Sequence, residues 1–213
     1  MMNLFSTFDP STGILSMNWI SMVMPMVMIP IKYWNNMNKI SFLMKMIDNL
    51  MFNEIKSSMK IKGVPIIMIS ILIYITITNI NGLMPYMFTS SSHLSFSLAM
   101  ALPLWLSSMT YGWMKNPKSM LIHLIPTGTP TLLMPFMVMI ESISNLIRPG
   151  SLAVRLSANM IAGHLIMALL GENTSYMMLL MILMMTLMMF EFAVSMIQAY
   201  VFMTLINLYS SEV

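Results

Sequence analysis

Apolar residues run through this chain in long tracts, interrupted at a few places by lysines, prolines and isolated polar groups. A membrane-spanning helix needs about 20 mostly apolar residues, and several tracts meet that length. Ile14 to Ile31 is the first, uncharged but weakened by Asn18, Pro25 and Pro30. Val64 to Phe88 is richer in isoleucine, with Asn79 and Asn81 near its end, and Leu94 to Met114 is a third. Two longer tracts follow. Residues 120–170 contain Glu141, Arg148, Arg155 and His164, and residues 176–209 contain the single charge Glu191.

Residues 32–62 have a different pattern. They hold six lysines, Asp48 and Glu54, mixed with Ile40, Phe42, Leu43, Met46, Ile47, Leu50 and Met51. Apolar positions at three- and four-residue spacing indicate an amphipathic helix, and a basic polar face suits one lying at the membrane surface against lipid phosphate. A nucleic-acid role is not expected. The pattern therefore predicts one all-α polytopic membrane domain: about five membrane helices plus one amphipathic interfacial helix.

Composition agrees. The chain is 58% apolar and 8% charged, whereas soluble domains carry about 25% charged residues. Its 213 residues leave no room for a separate soluble catalytic domain. There is no cysteine, hence no disulfide or thiolate metal site. The 33 methionines are unusual. Met fills irregular gaps, but a codon-level origin, AUA read as Met in an A+T-rich animal mitochondrial genome, explains the scatter better. Met1 to Ser16 lacks both the secretory-signal and the transit-peptide pattern, as expected of a chain made in the compartment where it works.

Lysine placement sets orientation. All eight lysines fall in residues 32–62 and 115–118, and the positive-inside rule puts both segments on the matrix or cytoplasmic face. The spans 64–88 and 94–114 lie between them, so the N-terminus is expected on the opposite face.

Ionisable groups inside apolar tracts carry the functional signal, because a charge at a helix centre costs about 2.5–3.5 kcal/mol on insertion scales. Arg155 admits three readings: a functional charge, an arginine snorkelling from a helix end, or a buried partner for Glu141. At about 100° per residue, Ser151 and Asn159 share its face and His164 points about 180° away. Arg148-Pro149-Gly150 is expected to kink or break the helix between Glu141 and Arg155. On the last tract Glu191, Ser195 and Gln198 share a face. Glu and His exchange protons when burial shifts them, whereas Arg stays charged; the set suits proton handling. His93, His123 and His164 are too scattered for a haem or a metal, and no Gly-rich phosphate loop is present. No cofactor is expected.

The order of His123-Leu-Ile-Pro-Thr-Gly-Thr-Pro130, Pro135-Phe-Met-Val-Met-Ile-Glu141 and Ile147-Arg-Pro149 resembles that of subunit a in mitochondrial ATP synthases. Leu152-Ala-Val-Arg-Leu-Ser-Ala-Asn-Met-Ile-Ala-Gly-His-Leu165 is similar to that family's arginine motif, and Phe190-Glu-Phe-Ala-Val-Ser-Met-Ile-Gln-Ala-Tyr-Val-Phe202 to its last-helix motif. Asn79-Ile-Asn-Gly-Leu-Met-Pro-Tyr86 adds a weaker match; together these cover about residues 79–209.

The resemblance implies a multi-pass subunit of the mitochondrial inner membrane, with its N-terminus towards the intermembrane space. It implies a long tilted C-terminal hairpin on a ring of c subunits, with further membrane and peripheral-stalk subunits as partners. Arg155 would be the stator arginine facing a ring carboxylate. His164 and Glu191, supported by Asn159 and Gln198, would form the half-channel open to the intermembrane space, and Glu141 the matrix-side exit. Glu172 matches no family position and reads as a loop acid; Arg148 reads equally as a motif residue or an anchor of the helix break. A transporter using Arg155 for an anion would need inverted repeats, which the chain lacks. A purely structural membrane subunit would not need charges clustered on its two C-terminal helices.

Overall fold

A computed structural model describes residues 4–11, 16–29, 36, 38–58, 63–85, 87–125, 130, 132–173 and 178–211. Their order is a 3-10 helix Leu4–Phe8, a 3-10 helix Met17–Met22, α1 (Met24–Met28), α2 (Lys39–Ser58), α3 (Val64–Leu83), a 3-10 turn Ser90–Ser92, α4 (Leu94–Lys115), α5 (Pro117–His123), α6 (Met134–Asn173) and α7 (Met178–Ser211). No strand occurs among the described residues.

Among those residues α3, α6 and α7 are long and apolar enough to cross a bilayer. The 22-residue α4 has the length but is diluted by four serines and Thr110. The expected first span 14–31 differs from a single helix. Its described part is the 3-10 helix followed by α1, with Pro25 at the start of α1, and residues 17–28 form an apolar stretch too short to span. Helix α3 stops at Leu83, short of the expected Phe88, because Pro85 forces Met84 into extended backbone (φ −70°, ψ 138°). Tract 120–170 is not one helix either: α5 ends at His123 and α6 begins at Met134, beside Pro135. Residues 126–129 of the His123–Pro130 motif, and the Glu172 side chain, lie outside the described residues.

The expected break at Pro149 does not occur. α6 runs on as 40 residues with Pro149 inside it, about 60 Å of helix. α7 has 34 residues, about 51 Å, and both exceed the roughly 30 Å hydrocarbon core. α7 packs on α3 and α6, and α4 on α6. The main core joins Ile55 of α2, Ile75 of α3, Leu156 of α6 and Phe202 and Met203 of α7. Buried Ala153 and Ala199 let helix axes approach, the usual device where lipid removes the solvent drive for association. Hydroxyls inside apolar helices donate to carbonyls three residues back, as Thr78 does to Ile75 at 2.9 Å, which offsets the cost of carrying them in hydrocarbon.

Ile40, Phe42, Leu43, Met46, Ile47 and Leu50 of α2 are all exposed. An apolar face turned outward is what an interfacial helix offers to acyl chains. Ile55 enters the core, and the Tyr200 hydroxyl donates to Glu54 Oε2 at 3.4 Å, tying α2 to α7. Partial burial pushes the Asp48 carboxyl above its usual range.

Phe202, wholly buried, tests this packing. Phe202→Ala is expected to cost on the order of 3 kcal/mol and to lower the thermal unfolding midpoint in detergent; an unchanged midpoint would contradict the core described.

Candidate functional site

Helix α6 has two faces. Leu152, Ala153, Leu156, Ser157 and Met160 are buried, whereas Ser151, Arg155 and Asn159 are exposed. The 3.6-residue repeat that turns apolar residues inward carries the guanidinium outward, among small neighbours Ala158 and Ala162 that are also exposed. Glu141 is not its partner. Arg148 Nη2 stands 3.7 Å from Glu141 Oε1, and the Arg148 guanidinium lies 5.2 Å from the Tyr209 ring centre. Among the described residues Arg155 makes no ion pair.

One turn beyond Arg155, Asn159 Nδ2 donates to Gln198 Oε1 at 3.0 Å and links α6 to α7. One further turn along, Gly163 accommodates Glu191: a Cβ there would stand 2.7 Å from the carboxyl carbon. These residues, with Ser195 of α7 and Asn79 of α3, line a cavity of about 370 Å³. Both side-chain polar atoms of Asn79, Oε2 of Glu191 and Nε2 of Gln198 are buried there without a partner among the described residues. Buried polar atoms are nearly always satisfied, and a cavity of this size has room for water beside these groups.

His164 lies on another side of α6, half-buried. The backbone of Gly82 lies beside its ring, and Phe8 packs edge-on with centroids 6.3 Å apart. It lines a second cavity of about 630 Å³ with Asp9, Asn18 and Thr89. Gly82 also permits Met160 and Thr89 to approach: a Cβ there would meet Met160 Cε at 3.1 Å and Thr89 Cγ2 at 3.5 Å. The Ser11 N–H, and then its hydroxyl, hold the exposed Asp9 carboxyl below the usual carboxylate range.

A third cavity of about 550 Å³ sits at the other end of α6, lined by Glu141, Asn145, Arg148, Trp105, Trp113 and Tyr209. His164 lies 23 positions beyond Glu141 on one continuous helix, about 35 Å along its axis. Of the six residues singled out in the sequence, three (Asn159, Glu191, Gln198) share one cavity and His164 lines its neighbour. Glu141 lines the far one. Arg155 lines none of these three and lies on the outer surface between the cavity groups.

Sequence reasoning passed over Asn79 and Gly163. An amide inside an isoleucine-rich span was the available signal for Asn79; nothing local marked Gly163, whose role depends on α7. Among the described residues no three His, Asp or Glu side chains converge as metal ligands, and His93 instead contacts Trp19 and Phe88.

The contact at Gly163 is testable by stability. Gly163→Ala is expected to destabilise the protein by about 1–3 kcal/mol, and Glu191→Ala in the same chain to remove most of that penalty. Equal penalties with and without the Glu191 side chain would contradict the fit.

The family model described as ATP synthase A chain matches residues 12–211. Proteins named ATP synthase subunit a from Locusta migratoria and Anopheles gambiae are each 49% identical to this chain, and that from Drosophila melanogaster is 48% identical. Each alignment covers 100% of this chain and 99% of the relative.

Proposed function

The chain belongs to the ATP synthase A chain family, as a membrane Fo component and not a catalytic subunit, and on that premise we propose that it forms the stationary wall of a proton path. In this reading two offset half-channels meet a rotating ring of c subunits in the mitochondrial inner membrane. The lysine-bearing segments 32–62 and 115–118 face the matrix, and the N-terminus faces the intermembrane space. The lengths of α6 and α7 suit two helices lying strongly tilted along the ring.

A proton enters through the His164 cavity and reaches the Glu191 cavity by way of water. There it neutralises a ring carboxylate, which can then enter lipid where a bare carboxylate would not. After nearly a full turn the site meets Arg155, whose positive charge favours the ionised carboxylate. The released proton leaves through the cavity of Glu141. Arg155 also bars protons from passing directly between the half-channels, because a fixed cation repels them and cannot itself give up a proton. Asn159 and Gln198 brace the two helices beside it, and Asn79 and Ser195 add polar walls to the entry side.

The observation that carries this reading is the separation of the polar cavities along α6, with an exposed Arg155 lacking an ion pair lying between them. Lys115 ends α4 and Lys118 lies in the first turn of α5, whose Met120 lines the Glu141 cavity, which suits a matrix-side exit.

In a host that assembles the complete complex, Arg155→Ala is expected to abolish ATP synthesis driven by an imposed proton gradient and to raise passive proton leak. Arg155→Lys should not restore normal coupling, since a desolvated lysine can lose its proton. Near-normal synthesis by an assembled Arg155→Ala complex would contradict the assignment.

A further inference from the structure

The N-terminal segment places a charge that the proton path described above does not use. Phe8, at the end of the 3-10 helix Leu4–Phe8, packs against the His164 ring. The next residue, Asp9, is exposed and lines the same cavity. Two hydrogen bonds hold it in place. Asp9 Oδ1 accepts the Ser11 N–H at 3.0 Å, and the Asp9 carbonyl accepts from Asn18 Nδ2 at 3.3 Å. Asn18 belongs to the 3-10 helix whose Trp19 packs on Phe88 and His93, and the Tyr74 hydroxyl donates to the Met22 carbonyl at the end of that helix. The carboxylate is thus anchored to α3 and to the loop that follows it.

Asp9 and His164 are the ionisable side chains among the described residues lining this cavity. The lysines lie in two other segments, 32–62 and 115–118, so the field of Asp9 is not cancelled by a neighbouring cation of the described cavity wall. Accepting the Ser11 N–H favours the ionised form of the carboxyl.

We propose that Asp9 is a proton-collecting carboxylate at the mouth of the His164 cavity, raising the local proton concentration by its charge and so speeding entry towards His164. This rests on reading the His164 cavity as a proton path and deepens it: Asp9 acts at a distance, as an electrostatic positioning residue. A charge of one sign at a cleft with low-dielectric walls concentrates the opposite ion and increases its rate of arrival. Full exposure leaves the effect open to screening, which supplies the test.

The variant is Asp9→Asn, which keeps an oxygen for the Ser11 N–H and removes the charge. In membrane vesicles carrying the assembled complex, proton uptake through the membrane sector is measured from the face bearing the N-terminus. At about 10 mM salt, where the Debye length is about 30 Å, Asp9→Asn is expected to slow uptake about three- to fivefold. That is the size expected of one unit charge acting through water over a few ångströms. At about 1 M salt, where the Debye length is about 3 Å, the difference should disappear, and Asp9→Glu should keep the parental rate at both. A rate unaltered at low salt, or a deficit of equal size at low and high salt, would overturn the role of charge. Glu191→Gln, measured alongside, separates the two ideas. If it blocks uptake while Asp9→Asn is normal, the path stands and the Asp9 role falls. If uptake survives Glu191→Gln, the path falls and the Asp9 role with it.

Discussion

A polar group in hydrocarbon must find a partner or water, and this requirement governs the arrangement along α6. The helix crosses its apolar surroundings carrying Glu141, Arg148, Arg155, Asn159 and His164, each of which costs free energy in a lipid-facing position. Glu141 and Arg148 meet this cost with each other and with Tyr209. Asn159 meets it with Gln198; His164 packs against Phe8 and the backbone of Gly82, its Nε2 buried without a partner among the described residues. Arg155 makes no ion pair among the described residues, and in the proposed function its face is the one a partner carboxylate completes.

The same requirement explains the helices around it. Small residues bring backbones close where side chains need space elsewhere: Gly163 yields to the Glu191 carboxylate, and Gly82 lets Met160 and Thr89 approach. Large apolar residues such as Phe202 and Ile75 seal the helix contacts on the inner side, and among the described residues the Glu141 cavity is separate from those of Glu191 and His164. A continuous wet channel would dissipate a gradient, whereas in the proposed function two separate cavities conduct only when a moving carrier bridges them.

Much of this was legible in the sequence because membrane helices write their polar exceptions plainly. Charges in apolar tracts marked Arg155, Glu141 and Glu191, and helical spacing put Ser151 and Asn159 on the face of Arg155. Glu191, Ser195 and Gln198, read as one face, line one cavity. What local rules could not supply was tertiary. Pro149 was expected to kink or break a helix that continues through it, since a proline inside a helix is tolerated when neighbouring groups satisfy the backbone it frees. The described part of the first apolar tract folds as a 3-10 helix and the short α1, with Pro25, which already weakened the tract in the sequence, at the start of α1. The roles of Gly163 and Asn79 depended on where α7 packs.

The central claim is that the His164 and Glu141 cavities open to opposite faces of the membrane, and it can be measured in this chain because it contains no cysteine. Single cysteines at Ala168, which lines the His164 cavity, and at Ser142, which lines the Glu141 cavity, would be challenged with a small membrane-impermeant thiol reagent. Sealed vesicles of each orientation, carrying the assembled complex, provide access to one face at a time. The account predicts that Ala168→Cys reacts only from the face bearing the N-terminus and Ser142→Cys only from the lysine-bearing face. Reaction of both from the same face, or of either from both faces, would contradict it.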